Sequence, residues 1–586
     1  MNGLSAAPWR RHNRANLGGG ARPGTVPWRR EVGVIEDLQA LAAWPPGVLS
    51  TLDDAFDLGE LRGRMSVVQC RDTRVVLFLL DHYVHSDSAD ELERLILARG
   101  LALGEPARYK VPAALLLALS EQTTPGFTPQ TGKAERSALA AAFDEIVAWG
   151  VRQRASDIHF NLDERCGHSS VRFTIEGQYL LPQQYRAVST RTMLDMLAVA
   201  WMRVRGGNGA VFDPSIEQQG RLPMRIDQQP LMLRWASLAA DKGPSVCLRV
   251  LHLNAAVSSM TLADLGYLPG QISAFERACQ TEGGAILIAG TVGSGKSTTL
   301  ATLLREVSGR RKLITLEDPV EYVIEHAIQN TLTRELDQPD DAIFDAKLRT
   351  IKRSAADDLM IGEIRDAQTG RAFMDLAASG VRVYGTVHTS AARLIPERLA
   401  SDFIGVSRQL MACPGILKLL VHQVLFARLC EACALTPERA GPTRPAGRYP
   451  CASPSGWLSS DEDGLLQRWL GDLGLDGGGI RLRNAQGCEH CRRDSLGPLW
   501  GYSGRTVVAE WLAPAFDEDL LACIGRQDQR GMTALLAARK RDHDPASTAF
   551  WTLRDCAVHK AAAGLLDARE VLSRFAHTAS QGEANR

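Results

Sequence analysis

Ala285-Ile-Leu-Ile-Ala-Gly290-Thr291-Val292-Gly293-Ser294-Gly295-Lys296-Ser297 is a short apolar strand running straight into a Gly-x-x-x-x-Gly-Lys-Ser loop. Glycines at 290, 293 and 295 let the backbone close around a polyphosphate with its N–H groups inward, and a helix starting near Lys296 aims its positive end at the same anion. Lys296 is suited to neutralise phosphate charge and Ser297 to offer a hydroxyl to Mg²⁺, with Thr298 next on the helix. A chance Gly-rich turn is the plain alternative, but this loop has both the strand before it and the helix after it that the motif demands. The stretch therefore predicts a nucleoside triphosphate site in an α/β domain.

A second buried strand, Leu359-Met360-Ile361, ends in Gly362-Glu363, where a phosphate-loop enzyme keeps its magnesium and water machinery. Glu363 is the candidate catalytic carboxylate, to orient the attacking water or accept its proton. Between the two lies Ile314-Thr-Leu-Glu317-Asp318-Pro319-Val320-Glu321-Tyr322, a strand running into three acids. Clustered carboxylates at a strand end suit Mg²⁺, which keeps much of its water shell and takes few direct ligands. A solvated turn stopped by Pro319 is the bland alternative. Tyr384-Gly-Thr386-Val387-His388-Thr389 is another strand end, where His388 is either a γ-phosphate sensor or a hydrogen-bonded structural residue.

A chain of 586 residues exceeds one core and predicts three or four domains, which its 45% apolar composition can fill. Lys+Arg and Asp+Glu balance at 67 each and aromatic residues are 6%, so no nucleic-acid channel is expected. The sequence contains no apolar run near the roughly 20 residues of a spanning helix and opens without a signal-peptide core, which predicts a cytoplasmic chain. Residues 1–30 carry six arginines and no acid, so 1–33 reads as a disordered basic tail. Residues 34–122 read as a small α/β domain and 130–260 as an α+β domain, joined by a Thr/Pro-rich linker at 123–129. Alternating strands and helices over 262–512 predict a mostly parallel sheet, interrupted by an insert at 428–495, and 513–586 reads as helical.

Of twelve cysteines, Cys430-x-x-Cys433 and Cys488-x-x-Cys491 are paired at knuckle spacing. Four thiolates in two such turns match tetrahedral Zn²⁺, and four protein ligands would make the site structural. A redox pair or two unrelated knuckles stays open, because the pairs are far apart in sequence. Cys451 lies between them without a close partner.

Taken in order, Gly290–Ser297, Glu317-Asp318-Pro319-Val320-Glu321-Tyr322, Gly362-Glu363-Ile364-Arg365-Asp366 and Thr386-Val387-His388-Thr389 resemble the Walker A, Asp box, Walker B and His box of the type II secretion and type IV pilus assembly ATPases. Upstream, Arg154-Ala155-Ser156-Asp157-Ile158-His159 with Val171-Arg172-Phe173 resembles the start of that family's PAS-like domain. Gln219-Gly220-Arg221, Leu233-Arg234 and Leu248-Arg249-Val250-Leu251 resemble its arginine-bearing strands. The resemblance, over about 134–574, implies a RecA-like P-loop domain in a homohexamer that hydrolyses ATP with Mg²⁺. It implies that Arg221, Arg234 and Arg249 close over the nucleotide from the PAS-like domain, and that the cysteine insert is the zinc-binding one of assembly-type members. As partners it implies an inner-membrane platform protein and pilus or secretion components, with peripheral contact at the inner membrane. Ile395-Pro-Glu-Arg-Leu, Pro414-Gly-Ile-Leu-Lys-Leu-Leu and Gly564-Leu-Leu-Asp-Ala-Arg-Glu-Val look most like the branch serving type IVb and conjugative thin pili. A retraction motor of the same family and a nucleotide-binding scaffold with little hydrolysis are the rival expectations. The chain departs from the family pattern at Ala355-Ala356-Asp357, which stands in place of Asp-Pro-Asp, at Val381 in place of the first His-box histidine, and at Val424, where an arginine would follow Gln423.

Overall fold

A computed structural model of the chain describes residues 31–112 (without 36, 37, 54, 57, 59, 60, 62 and 63), 115, 116, 119, 133–252, 260–332, 341–440, 458, 460–538 (without 494), 544–546 and 550–583. The expectations for residues 1–30, the linker and Cys451 lie outside these residues. Among the described residues no helix is long and apolar enough to cross a membrane.

The first sheet holds β1 (Val32–Val34), β2 (Val48–Thr51), β3 (Met65–Cys70), β4 (Val75–Leu79) and β5 (Leu103–Lys110) in the order β1-β5-β4-β3-β2. All of β4 is buried, because both faces are covered. Helix Asp87–Ala98 packs Leu92 and Ile96 against Val67, Leu77 and Leu79. Val68, Val76, Phe78 and Tyr109, on the other face, join an apolar cluster continuous with helix Lys133–Arg152 and the next sheet.

That second sheet is antiparallel throughout. Strands β6 (Ala155–Asn161), β7 (His168–Ile175), β8 (Gln178–Leu180), β10 (Gln219–Ile226), β11 (Gln229–Leu238) and β12 (Ser245–His252) run in the order β10-β11-β12-β6-β7-β8, with β9 (Val188–Ser189) paired to β7. Period-two alternation sends Ile158, Phe160, Phe173, Leu233, Trp235 and Leu248 into one core with helices Lys133–Arg152 and Thr190–Trp201. The opposite face is polar, and register aligns it in rows. Arg221 stands opposite Arg234, Arg234 opposite Arg249, Arg249 opposite Asp157, and Asp157 opposite Thr174.

The third sheet holds β13 (Ala285–Ala289), β14 (Leu313–Glu317), β15 (Ile328–Thr331), β16 (Asp358–Ile361), β17 (Arg382–Val387), β18 (Leu417–Leu429) and β19 (Tyr502–Leu512) in the order β15-β14-β16-β17-β13-β18-β19. All neighbours are parallel except β18 and β19, which is the mostly parallel α/β sheet expected. Strand β18 was not legible, because Lys418, His422 and Gln423 interrupt its apolar run. Neighbouring segments absorb two of those polar groups: Lys418 Nζ donates to the carbonyls of Thr281 and Glu282, and Gln423 Nε2 to that of Ser294. Parallel strands gather their C-terminal ends at one edge, so β13, β14, β16 and β17 deliver their following loops to one crevice.

Within the insert, helix Ser460–Asp472 packs Leu466, Trp469 and Leu470 against Cys556, Val558 and Val571 of the C-terminal helices. The helical tail expected after 513 comprises Glu518–Arg526, Gln529–Ala538, Leu553–Ala562 and Ala568–Glu583.

Phe160 is completely buried and stacks on Phe143 with ring centroids 5.6 Å apart. Phe160→Ala is expected to lower the stability of the second domain by about 3–5 kcal/mol, read from its chemical-denaturation transition. A loss below about 1 kcal/mol contradicts this core placement.

Candidate nucleotide site

The phosphate loop leaves β13 with Gly290, Gly293 and Gly295 at φ 155°, 78° and 84°. A Cβ at Gly290 would stand 2.5 Å from the carbonyl oxygen of Gln423, so only glycine fits that close approach. Helix Lys296–Arg305 follows at once, turning its unpaired first-turn N–H groups toward the loop. Thr291, Val292 and Gly293 are exposed at the loop tip, while Ser297 and Thr298 are half-buried in the first helical turn. Lys296 Nζ donates to the carbonyls of Gly290 at 2.8 Å and Thr291 at 2.9 Å. Burial holds its pKa below the ordinary lysine value, against the opposing pull of Glu363 and Glu321. Ser294 Oγ is buried with no hydrogen-bond partner, a polar atom that an anion in the cradle would suit.

Gln423, fully buried on β18, is the floor of this loop. Its Oε1 accepts from Tyr267 OH at 2.5 Å and Thr299 Oγ1 at 3.0 Å, and its Nε2 donates to the Ser294 carbonyl at 2.7 Å. The sequence reading missed this role, and local sequence holds no signal for it; only the placement of β18 beside β13 reveals it.

On the acidic side, Glu363 follows β16 and His388 follows β17. Glu363 Oε1 lies 3.3 Å from His388 Nε2, and Oε2 lies 3.9 Å from Arg365, whose guanidinium is also 3.8 Å from Asp318 Oδ2. Burial first, and then the Lys296 charge, lower the His388 pKa against Glu363. The lowered pKa favours the neutral imidazole at pH 7, placed beside the Glu363 carboxylate. Glu317 is placed differently from Asp318 and Glu321. Its carboxylate is buried, accepting from Thr315 Oγ1 at 2.6 Å and Gln329 Nε2 at 3.0 Å, and burial raises its pKa. It ties β14 to β15. Thr298 Oγ1 is 2.9 Å from Tyr322 OH, which fixes this loop to the phosphate-loop helix.

The arginine row of the second sheet meets this edge. Arg234 Nη1 donates to the Asp318 carbonyl at 3.3 Å. Arg249 Nε donates to Asp157 Oδ1 at 2.9 Å. Burial works against the Arg249 charge, but Asp157, helped by the more distant Glu321, outweighs it and raises the pKa. Arg221 is half-exposed beside Arg234, and an isolated bridge from Arg205 to Arg221 extends the row by a residue that the sequence reading did not single out.

The structure brings the four knuckle cysteines together. Sulfur separations are 3.8 Å for Cys430–Cys488, 3.7 Å for Cys433–Cys491 and 3.8 Å for Cys488–Cys491. A tetrahedron of sulfurs about 2.3 Å from a central Zn²⁺ has edges of about 3.8 Å, whereas a disulfide needs about 2.05 Å. Backbone N–H groups of Cys488 and Gly501 point at Cys491 Sγ, each at 3.2 Å, as suits a ligating thiolate. The donor set and its spacing fit the ion.

A family model described as type II/IV secretion system protein matches residues 133–572. The chain belongs to that family. Relatives of the secretion-protein family include the type II secretion system protein E of Klebsiella pneumoniae, 28% identical over 426 residues, covering 72% of this chain and 73% of the relative. The type IV pilus assembly ATPase PilB of Thermus thermophilus is 26% identical over 447 residues, covering 76% of this chain and 44% of PilB. Among solved structures, the Legionella pneumophila ATPase DotB aligns with a TM-score of 0.48 at 17% identity, over 77% of this chain and 98% of DotB.

Gln423→Leu would take away the acceptor shared by Tyr267 OH and Thr299 Oγ1, leaving them their 3.3 Å bond to each other, and would remove the donor to the Ser294 carbonyl. The expected result is a loss of about 1–3 kcal/mol, with faster hydrogen exchange in 290–299 of the nucleotide-free protein. Exchange there at the wild-type rate would contradict the floor role.

Proposed function

We propose that this chain is the Mg²⁺-dependent ATP-hydrolysing motor of a type IV pilus assembly or type II-like secretion apparatus. In this reading it is a homohexamer at the cytoplasmic face of the inner membrane, working against a platform protein. The arginine row carries the proposal: three arginines stand in cross-strand register, and Arg234 among them reaches the Asp318 carbonyl of the Asp box. The names of the relatives support it, since they comprise type II secretion system proteins E and a pilus assembly ATPase.

Each residue then has a task. Lys296 exchanges its two loop carbonyls for phosphate oxygens, and the cradle amides take the remaining charge. Glu363 orients the attacking water and receives its proton, with neutral His388 holding the carboxylate in place. Arg221, Arg234 and Arg249 neutralise the charge on the γ-phosphoryl oxygens from a separate domain, so hydrolysis changes what holds the two domains together. Magnesium, held by Ser297 and waters on Asp318 and Glu321, would supply charge neutralisation between the β- and γ-phosphates. The four cysteines would bind one structural Zn²⁺.

The full-length protein is expected to hydrolyse ATP only with Mg²⁺. Glu363→Gln should retain ATP binding but lose turnover by on the order of 10²–10⁴, and Arg234→Ala should lose at least on the order of tenfold. Equal turnover in wild type and Glu363→Gln would sink the motor reading. Lys296→Ala is expected to abolish binding, measured by nucleotide titration.

Elemental analysis should find one zinc per chain, lost in Cys433→Ser together with protease resistance of the insert. Wild-type protein free of zinc would overturn the metal assignment.

A further inference from the structure

The cysteine knuckles touch more than their own domain. Beyond Cys491, Leu496 and Leu499 are 0% and 2% exposed, and they belong to the same apolar cluster as Phe173, Ile175, Leu180 and Tyr185 of the second sheet. Beside them, Arg493 Nη2 donates to Glu176 Oε1 at 2.7 Å, a carboxylate only 12% exposed. The Arg493 backbone is fixed within the knuckle segment, its carbonyl accepting from Trp500 Nε1 at 2.9 Å and from the Leu496 amide.

Glu176 and Gly177 form the two-residue turn between β7 and β8, at φ 52° and 81°, with Ile175 paired to Gln178. Such turns favour Asn or Gly at the first position, and a glutamate there carries backbone strain. Its side chain supplies the compensation. Arg505 of β19 reaches the same tip, its Nη1 3.5 Å from where a Cβ on Gly177 would stand. The cross-strand row that holds the arginines runs on through Asp157 and Thr174 to Tyr179, and Thr174 lies two residues before Glu176.

We propose that the Glu176–Arg493 pair is a strap, seated by the zinc knuckle, that positions the arginine row over the phosphate loop. This inference rests on the ATPase reading above. Glu176 and Arg493 are positioning residues, acting through Arg234 and Arg249. An exposed pair would contribute little, but removing one partner of a shielded pair leaves the other charge stranded.

In the zinc-loaded full-length protein, Glu176→Gln and Arg493→Met are each expected to lower kcat on the order of tenfold, with the ATP KM within about twofold. The double variant should be no slower than the slower single one, and Arg493→Lys should recover most of the loss because the contact is monodentate. Losses that multiply in the double variant, or a lowered Tm with unchanged kcat, would overturn the strap. A readout independent of hydrolysis is hydrogen exchange over 172–180, expected to quicken when a chelator strips the metal. Unchanged exchange there also overturns it. If the wild type hydrolysed no ATP, the motor reading would fall while this exchange experiment still decided the strap.

Discussion

Like charges set directly opposite each other on a sheet repel, and the second sheet sets three on adjacent strands, with Arg205 bridged to the first of them. Arg221, Arg234 and Arg249 occupy consecutive cross-strand positions, each contact unfavourable by roughly 0.2–1 kcal/mol. Asp157 relieves only the Arg249 end, at 2.9 Å. A polyanion is the natural counter-charge for the rest, and the facing domain presents a loop whose amides, lysine and helix terminus are arranged for one. Much of the arrangement follows from this constraint. The inner face of the sheet is predominantly apolar while the outer one carries the arginines, and the Asp box sits where Arg234 meets its backbone.

The readable parts of the chemistry were those contiguous in sequence. Gly290–Ser297, Gly362-Glu363 and the cysteine knuckles each carry their logic within a few residues, and the structure places them as a loop after β13, a turn after β16 and a four-sulfur cluster. What could not be read depended on pairing. Gln423 matters because β18 lies beside β13, a neighbour relation that no local pattern encodes. Glu317 looked like its acidic neighbours, but β15 brings Gln329 to its carboxylate and ties it between strands. The three arginines were each visible singly, while their alignment in one row needed the register of β10, β11 and β12. Helix Ser460–Asp472 was hidden by the Pro/Gly-rich sequence around it, although Leu466, Trp469, Leu470 and Leu473 recur at helical spacing.

The row is held unevenly along its length. At the Thr174 end, carboxylates with 12% exposure, Asp157 and Glu176, are bound by guanidinium groups at 2.9 and 2.7 Å, with buried leucines alongside. Among the arginines, Arg234 meets the phosphate-loop domain through a 3.3 Å hydrogen bond to the backbone carbonyl of Asp318. Shielded charge pairs resist opening because each separated ion must be resolvated in place, whereas one long bond to a neutral acceptor gives way for a small fraction of that cost. The sheet is therefore held more firmly beside the cysteine knuckles than where Arg234 meets the phosphate-loop domain.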